Sequence, residues 1–281
     1  VIFNIKYTIY LHFYIKIRYL YIRKRVNTMI GQHYIITGGT SGLGLDIVHE
    51  LIKRGTHVTI LARDMQKFRQ IHFGNQSSLV DVIECDLQNR QDIVNISSQI
   101  KTPIHGLIYS SGLGYFKSIA SHTAEEMIET YDVNLISFNL LYNTIKPYLI
   151  KHAHIVGISS QAAFVTQSHA AHYGASKAAF NQVLNALRLE EPNLHVMSVN
   201  TGPIDTPFHQ KADPSLSYFN QYRSIMIQSN QLAQRIVEGI IKEKQEINAP
   251  TWMHQMLKLY QLAPRFLEKH FSHLFNNKSN H

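Results

Sequence analysis

Residues 37–44 read "TGGTSGLG", directly between an apolar, β-rich run, "HYIIT" at 33–37, and an amphipathic stretch over 42–54. Gly38, Gly42 and Gly44 follow G-x-x-x-G-x-G spacing. Glycine permits a tight turn, lets the backbone approach a pyrophosphate closely, and aims that anion at the amino end of a helix. Strand, glycine turn and helix in this order predict a dinucleotide-binding crossover, with Gly38, Thr40, Ser41, Gly42, Leu43 and Gly44 as its contact set.

Working outward, the same alternation continues with little spare sequence. Further β-rich runs lie at 57–61, 79–85, 105–110, 153–160, 194–200 and 246–249. Amphipathic stretches fall between them at 64–71, 88–100, 123–147, 171–190 and 230–242. Near-continuous apolar strands alternating with helices imply a parallel sheet covered on both faces. Right-handed crossovers make it an α/β doubly wound (Rossmann) sheet of about seven strands, one domain over 29–249.

Ligands of such sheets bind beyond the carboxyl ends of the strands, so the residues after each run carry the chemistry. After the second run, "ILARD" puts Ala62 where an NAD-binding acid is expected and Arg63 beside it. A guanidinium suits a 2′-phosphate, and a charge-assisted hydrogen bond contributes about 1.5–3 kcal/mol, enough to prefer NADP(H) over NAD(H). Asp64 competes for the ribose, and also reads as the N-cap of the next helix. After the third run, Asp86 and Leu87 of "CDL" offer a carboxylate and an apolar contact for adenine, or a plain helix cap. "SSGLG" at 110–114 supplies small residues that let backbone lie against a cofactor, or forms an ordinary loop. At 173–177, "YGASK" sets Tyr173 and Lys177 on one helix face.

With "TGGTSGLG", "CDL", "VNL" (133–135), "ISS" (158–160), "YGASK" and "NTGPIDTP" (200–207) in order, the chain resembles the short-chain dehydrogenase/reductase family over about 29–249. The resemblance implies hydride transfer between NADP(H), or less preferably NAD(H), and a small-molecule carbonyl/alcohol substrate. It makes Tyr173 the general acid/base. Lys177 lowers the phenol's pKa and binds the nicotinamide ribose, and Ser160 orients the carbonyl. Asn134, inside the 123–147 helix, holds a water that links Lys177 to solvent. Pro203, Ile204 and Thr206 hold the nicotinamide. The family's N-N-A-G after strand four is "YSSG" here, and Ser41 stands where some NADP-dependent members carry a basic residue. A homodimer or homotetramer through the helices at 123–147 and 171–190 is expected by analogy. A non-catalytic NADP(H) sensor on the same fold is the alternative, though it would not require Asn134, Ser160, Tyr173 and Lys177 together.

The net charge of +8 is uneven. Residues 1–28 hold six Lys and Arg and no acid, leaving a body with 21 basic against 19 acidic residues. A nearly neutral body gives no electrostatic case for nucleic acid. Residues 1–28 contain no Gly or Ala and read as a basic tail, disordered or upstream of a native start at Met29; a membrane-surface anchor is the alternative. One cysteine, Cys85, fits a reducing cytoplasm. The histidines of "HAH" (152–154) and "HAAH" (169–172) lack the further ligands a zinc site needs, so no metal is expected. Phe208, Tyr218, Phe219 and Met226 of the 208–229 segment either line an apolar substrate pocket or pack as ordinary helix. The apolar extension 250–281, broken by Pro264, has three candidate resting places: its own subunit, a partner subunit, or a membrane surface.

Overall fold

A computed structural model describes residues 29–272 and residue 275, apart from the side chains of Ser217, Tyr218 and Gln221; the basic segment 1–28 lies outside the described residues. The glycine turn joins β1 (His33–Thr37) to α1 (Gly42–Ile52), and β2 (His57–Ala62) completes the crossover. There follow α2 (Met65–Arg69), β3 (Val80–Glu84), α3 (Arg90–Asn95), β4 (Ile104–Tyr109), α4 (Ala124–Tyr131) and α5 (Ser137–Ile145). Next come β5 (Leu149–Ser160), α6 (Ala171–Glu190) and β6 (His195–Thr201). A ribbon of β7 (Ile204–Asp205) and β8 (Ile227–Gln228) flanks α7 (Phe208–Ala212) and α8 (Ser217–Tyr222). The chain continues with α9 (Ser229–Ile241), β9 (Glu246–Ala249), α10 (Thr251–Leu262) and α11 (Pro264–His270).

One parallel, 7-stranded sheet has the order β3-β2-β1-β4-β5-β6-β9, which reverses between β1 and β4. Both faces are covered, which is why its inner strands are largely apolar on both sides, while the edge strands β3 and β9 carry exposed Asp81, Glu84 and Glu246. Tyr34, Ile36, Ile60 and Ile108 pack towards α1 and α9, against Ile47, Leu51, Ile236 and Ile240. Their neighbours Ile35, Leu61, Leu107 and Tyr109 point the other way, against Ile93, Phe138, Leu141, Phe180 and Leu184.

The helix expected over 123–147 is not continuous. Thr123 and Glu126 close a capping box on α4, but residues Asp132–Ile136 form a π turn before α5 resumes. A π turn takes in one extra residue and disturbs the regular ladder, so its backbone groups look outward for partners. The buried Tyr109 hydroxyl donates to Val133 O at 2.5 Å. Asn134 therefore sits in the turn and is fully buried, instead of lying on a regular helix face.

At the amino ends of the strands, histidines collect in register. His33 faces His57 with ring centroids 5.0 Å apart, and His154 faces His195 at 5.1 Å. His33 is held by the hydroxyls of Thr59 at 2.7 Å and Thr102 at 2.9 Å. Burial, reinforced by the charge of His57 and only partly opposed by Asp81, lowers its pKa to about 4. The unfolded chain takes up that proton near pH 6.5, before the folded chain does. The stabilisation is thus complete above about pH 6.5 and is lost as pH falls towards 4. Melting temperature is expected to hold between pH 7 and 8 and decline below 6.5, with the decline shallower in His33→Gln. Parallel declines in scanning fluorimetry would exclude His33 as the responsive group.

Candidate active site

The glycine turn works because there is no room for anything else. A Cβ on Gly44 would sit 2.2 Å from Gly38 O, so only glycine lets the first turn of α1 close against the loop. Gly38 itself has φ +68, and a Cβ there would press the backbone of Ser110 and Ser111 at 3.1 Å. Thr37 Oγ1 accepts from Ser110 N at 3.1 Å and Ser111 N at 3.0 Å, tying β1 to β4 where the strand order reverses. Thr206 reaches across from the other side and packs at Gly42.

These walls enclose a cavity of about 990 Å³. Every residue predicted to contact the cofactor lines it: the turn residues Gly38 and Thr40 to Gly44, then Arg63, Asp86, Leu87, Tyr173, Lys177, Pro203, Ile204 and Thr206. Arg63 is exposed at the rim, and Lys67 lines the same end. Asp64 does cap α2, its carboxylate accepting from Lys67 N at 2.9 Å. Asp86 also serves its own turn, one oxygen accepting from Gln88 N at 3.0 Å.

Of the four predicted catalytic residues, three meet in the cavity. Ser160 Oγ accepts from Ala162 N at 3.1 Å and donates to Thr201 O at 3.3 Å. This fixes the hydroxyl at the end of β5, in the same cavity as the Tyr173 phenol. Ser159, its neighbour in "ISS", points to the Lys177 carbonyl at 3.4 Å. Burial raises the Tyr173 phenol, and Ser160 pulls it partly back. Lys177 is buried, and its ammonium donates to Ile158 O at 3.0 Å. Desolvation lowers its pKa to about 8. The partner anchoring the ammonium is thus a strand carbonyl, and the group opposing burial at the phenol is Ser160.

Asn134 is not in the cavity wall. Its Oδ1 accepts from Leu113 N at 2.9 Å, and its Nδ2 donates to Leu113 O at 2.8 Å and to Ser176 Oγ at 2.9 Å. Ser176 in turn donates to Tyr173 O at 2.8 Å. The amide clamps the loop after β4 to the helix that carries Tyr173 and Lys177.

That clamp explains residues the sequence reading missed. A Cβ on Gly112 would lie 3.0 Å from Lys177 Nζ, and one on Gly114 would lie 2.6 Å from Tyr173 Cδ2. The small residues of "SSGLG" therefore make room for the two reactive side chains as well as for a cofactor. The signal was present in the run of small residues, but its target was not. Phe116 and Phe208 were also beyond reach as a pair. Their rings stand 5.7 and 5.6 Å from that of Tyr173, forming an apolar collar against its ring. Beyond the collar, Met253, Met256, Leu257, Leu267 and Phe271 of the C-terminal extension line the same cavity. The extension is fastened by Tyr260, whose hydroxyl donates to Glu268 at 2.5 Å and lies 3.0 Å from the Thr166 hydroxyl. Through these contacts the described part, residues 250–272 and 275, packs on its own chain.

Comparison with known proteins agrees with this geometry. The family model described as short chain dehydrogenase matches residues 32–216. The chain is 29% identical over 222 residues to 3-dehydrosphinganine reductase TSC10A of Arabidopsis thaliana, covering 74% of this chain and 68% of that protein. A short chain dehydrogenase from Burkholderia cenocepacia in complex with NADP superposes with TM-score 0.71 at 22% identity, over 86% of this chain and 98% of its own. A short chain dehydrogenase/reductase from Burkholderia phymatum in complex with NAD gives 0.76 at 15% identity, over 85% and 95%. At these identities the two structures speak for the fold alone.

Proposed function

The chain belongs to the short-chain dehydrogenase/reductase family, and from that premise we propose that it reduces a lipophilic ketone with NADPH, or runs the reverse oxidation, with Tyr173 moving the proton. The observation that carries this reading is the meeting of Ser160, Tyr173 and Lys177 in one cavity, with Lys177 buried one helical turn along from Tyr173. The site fits a dinucleotide: Gly38 and Gly44 leave a cradle that any side chain would fill, at the amino end of α1 and the reversal of strand order. The turn residues would hold its phosphates, Asp86 and Leu87 its adenine, and Pro203, Ile204 and Thr206 its nicotinamide. When bound, the nicotinamide supplies or accepts the hydride.

The remaining work falls to the chain's own groups. Ser160, held by Ala162 N, would turn its proton from Thr201 O to a substrate oxygen that gains negative charge. Tyr173 stays protonated at neutral pH because burial disfavours the phenolate, so it is a ready donor in the reductive direction. Lys177 places positive charge behind it and would bind ribose hydroxyls. Phe116 and Phe208 shield the Tyr173 ring from water. The likeness to a 3-dehydrosphinganine reductase supports a ketone carried on an apolar chain, as does the wall of Met253, Leu257 and Leu267.

NADPH oxidation against a series of aliphatic ketones tests the reading. Ketone-dependent turnover that rises with chain length is expected. Tight NADPH binding with no turnover of any ketone would favour the sensor instead. Arg63→Ala is expected to raise the KM for NADPH about 10- to 100-fold and to leave NADH nearly unchanged. An equal effect on both coenzymes would take the 2′-phosphate away from Arg63.

A further inference from the structure

We propose that the exposed apolar stripe of α10, continued into α11, docks the protein on an anionic lipid bilayer with the mouth of the cavity facing the lipid. Trp252, Met256 and Leu259 recur at spacings of four and three, and are 57%, 59% and 59% exposed. Leu262 at 82% and Phe266 at 59% extend the same apolar surface. Meanwhile the helix buries His254 and Tyr260. A helix whose work ended at its own core would place polar residues outward, and this one places large apolar side chains there. No helix among the described residues is long and apolar enough to cross a membrane, so the geometry is that of lying on a surface.

Two further observations select the occupant. Met256 and Leu259 belong to the stripe and also line the active-site cavity, together with Leu267 and Phe271. The same apolar side chains thus belong both to the outer surface and to the cavity lining, where an alkyl chain could follow them inward. The flanking charge is basic: over 251–272, Lys258, Arg265 and Lys269 face one carboxylate, Glu268. That carboxylate already accepts from Tyr260 and from Arg265, each at 2.5 Å. A basic rim around an apolar stripe complements anionic headgroups over an acyl layer. A second copy of the chain would bring the same basic rim against itself.

Trp252 is the only tryptophan of the chain, so its emission reports on the stripe without reference to turnover. With the full chain, a blue shift and co-sedimentation are expected on vesicles of phosphatidylcholine with phosphatidylglycerol, and weaker binding on phosphatidylcholine alone. Leu262→Glu with Phe266→Glu lies outside the cavity wall; it should weaken binding at least about tenfold while reduction of a short, water-soluble ketone continues. Lys258→Glu with Lys269→Glu keeps the apolar stripe and should lower binding to the anionic vesicles alone. Residues 1–28 are common to all these proteins, so the differences report on α10 and α11. Unchanged Trp252 emission with both vesicles would overturn the proposal. A lipid-free dimer that Leu262→Glu/Phe266→Glu converts to monomer would overturn it too, making the stripe a subunit contact. Equal binding to neutral and anionic vesicles would overturn the role given to the basic rim.

Discussion

Tyr173→Phe is expected to lower kcat for ketone reduction by about 10²- to 10⁴-fold, the usual contribution of a placed general acid, while NADPH still binds. The substitution removes one oxygen from a ring otherwise held by Phe116 and Phe208, so the fold should not register it. The pH dependence separates this loss from a general disturbance. Burial raises the phenol pKa and Ser160 offsets the shift only in part, so wild-type Tyr173 stays protonated through neutrality. Reduction by the wild type should therefore be flat around pH 7, while alcohol oxidation, which needs the phenolate, gains with rising pH. The residual activity of Tyr173→Phe should lose that gain. Wild-type turnover in Tyr173→Phe would mean that another group carries the proton, and stopped-flow measurement of both directions would show it.

How far the sequence reaches depends on whether the cause is local. The strand runs are legible because the inner strands of a sheet covered on both faces need apolar residues on both sides, and β1 falls where the sequence puts it; the short edge strand β9 does so too, although Glu246 is exposed. Gly44 is legible for a similar reason, since strand, turn and helix are contiguous. The interruption at Asp132–Ile136 is not, because it answers to a partner twenty-four positions away, the Tyr109 hydroxyl. The same holds for Asn134. Its residue type invites a functional reading, but its two polar atoms are taken by Leu113 and Ser176, both brought to it by the fold. Its side chain ties down the loop that backs onto Lys177 and Tyr173. Phe116 and Phe208 share no motif and meet only in the fold, their rings edge to face at 6.3 Å in the cavity lining. The wall that the C-terminal extension adds to the cavity is equally non-local, since Tyr260 reaches Thr166 across ninety-four positions.

Lys177→Met brings these local and long-range effects together, and is expected to make the protein more stable and inactive at once. Burial lowers the ammonium from its ordinary pKa to about 8, below that of the unfolded chain. The unfolded state therefore holds the proton more readily, and keeping Lys177 charged in the fold at neutral pH costs up to about 3 kcal/mol. Methionine fills a comparable volume beside Phe180 without that cost. Ile158 O loses its donor, which gives back roughly 1 kcal/mol. A net gain of about 1–2 kcal/mol should appear as a melting temperature about 2–6 °C higher at pH 7. The advantage should shrink between pH 8 and 10.5, as the wild-type lysine loses its proton and its penalty together. At pH 7 turnover should fall at least about 100-fold, because the positive charge behind the phenol is gone. A melting temperature that drops instead would mean that the bond to Ile158 outweighs the desolvation. In that case Lys177 would be holding the strand in place as well as serving the chemistry.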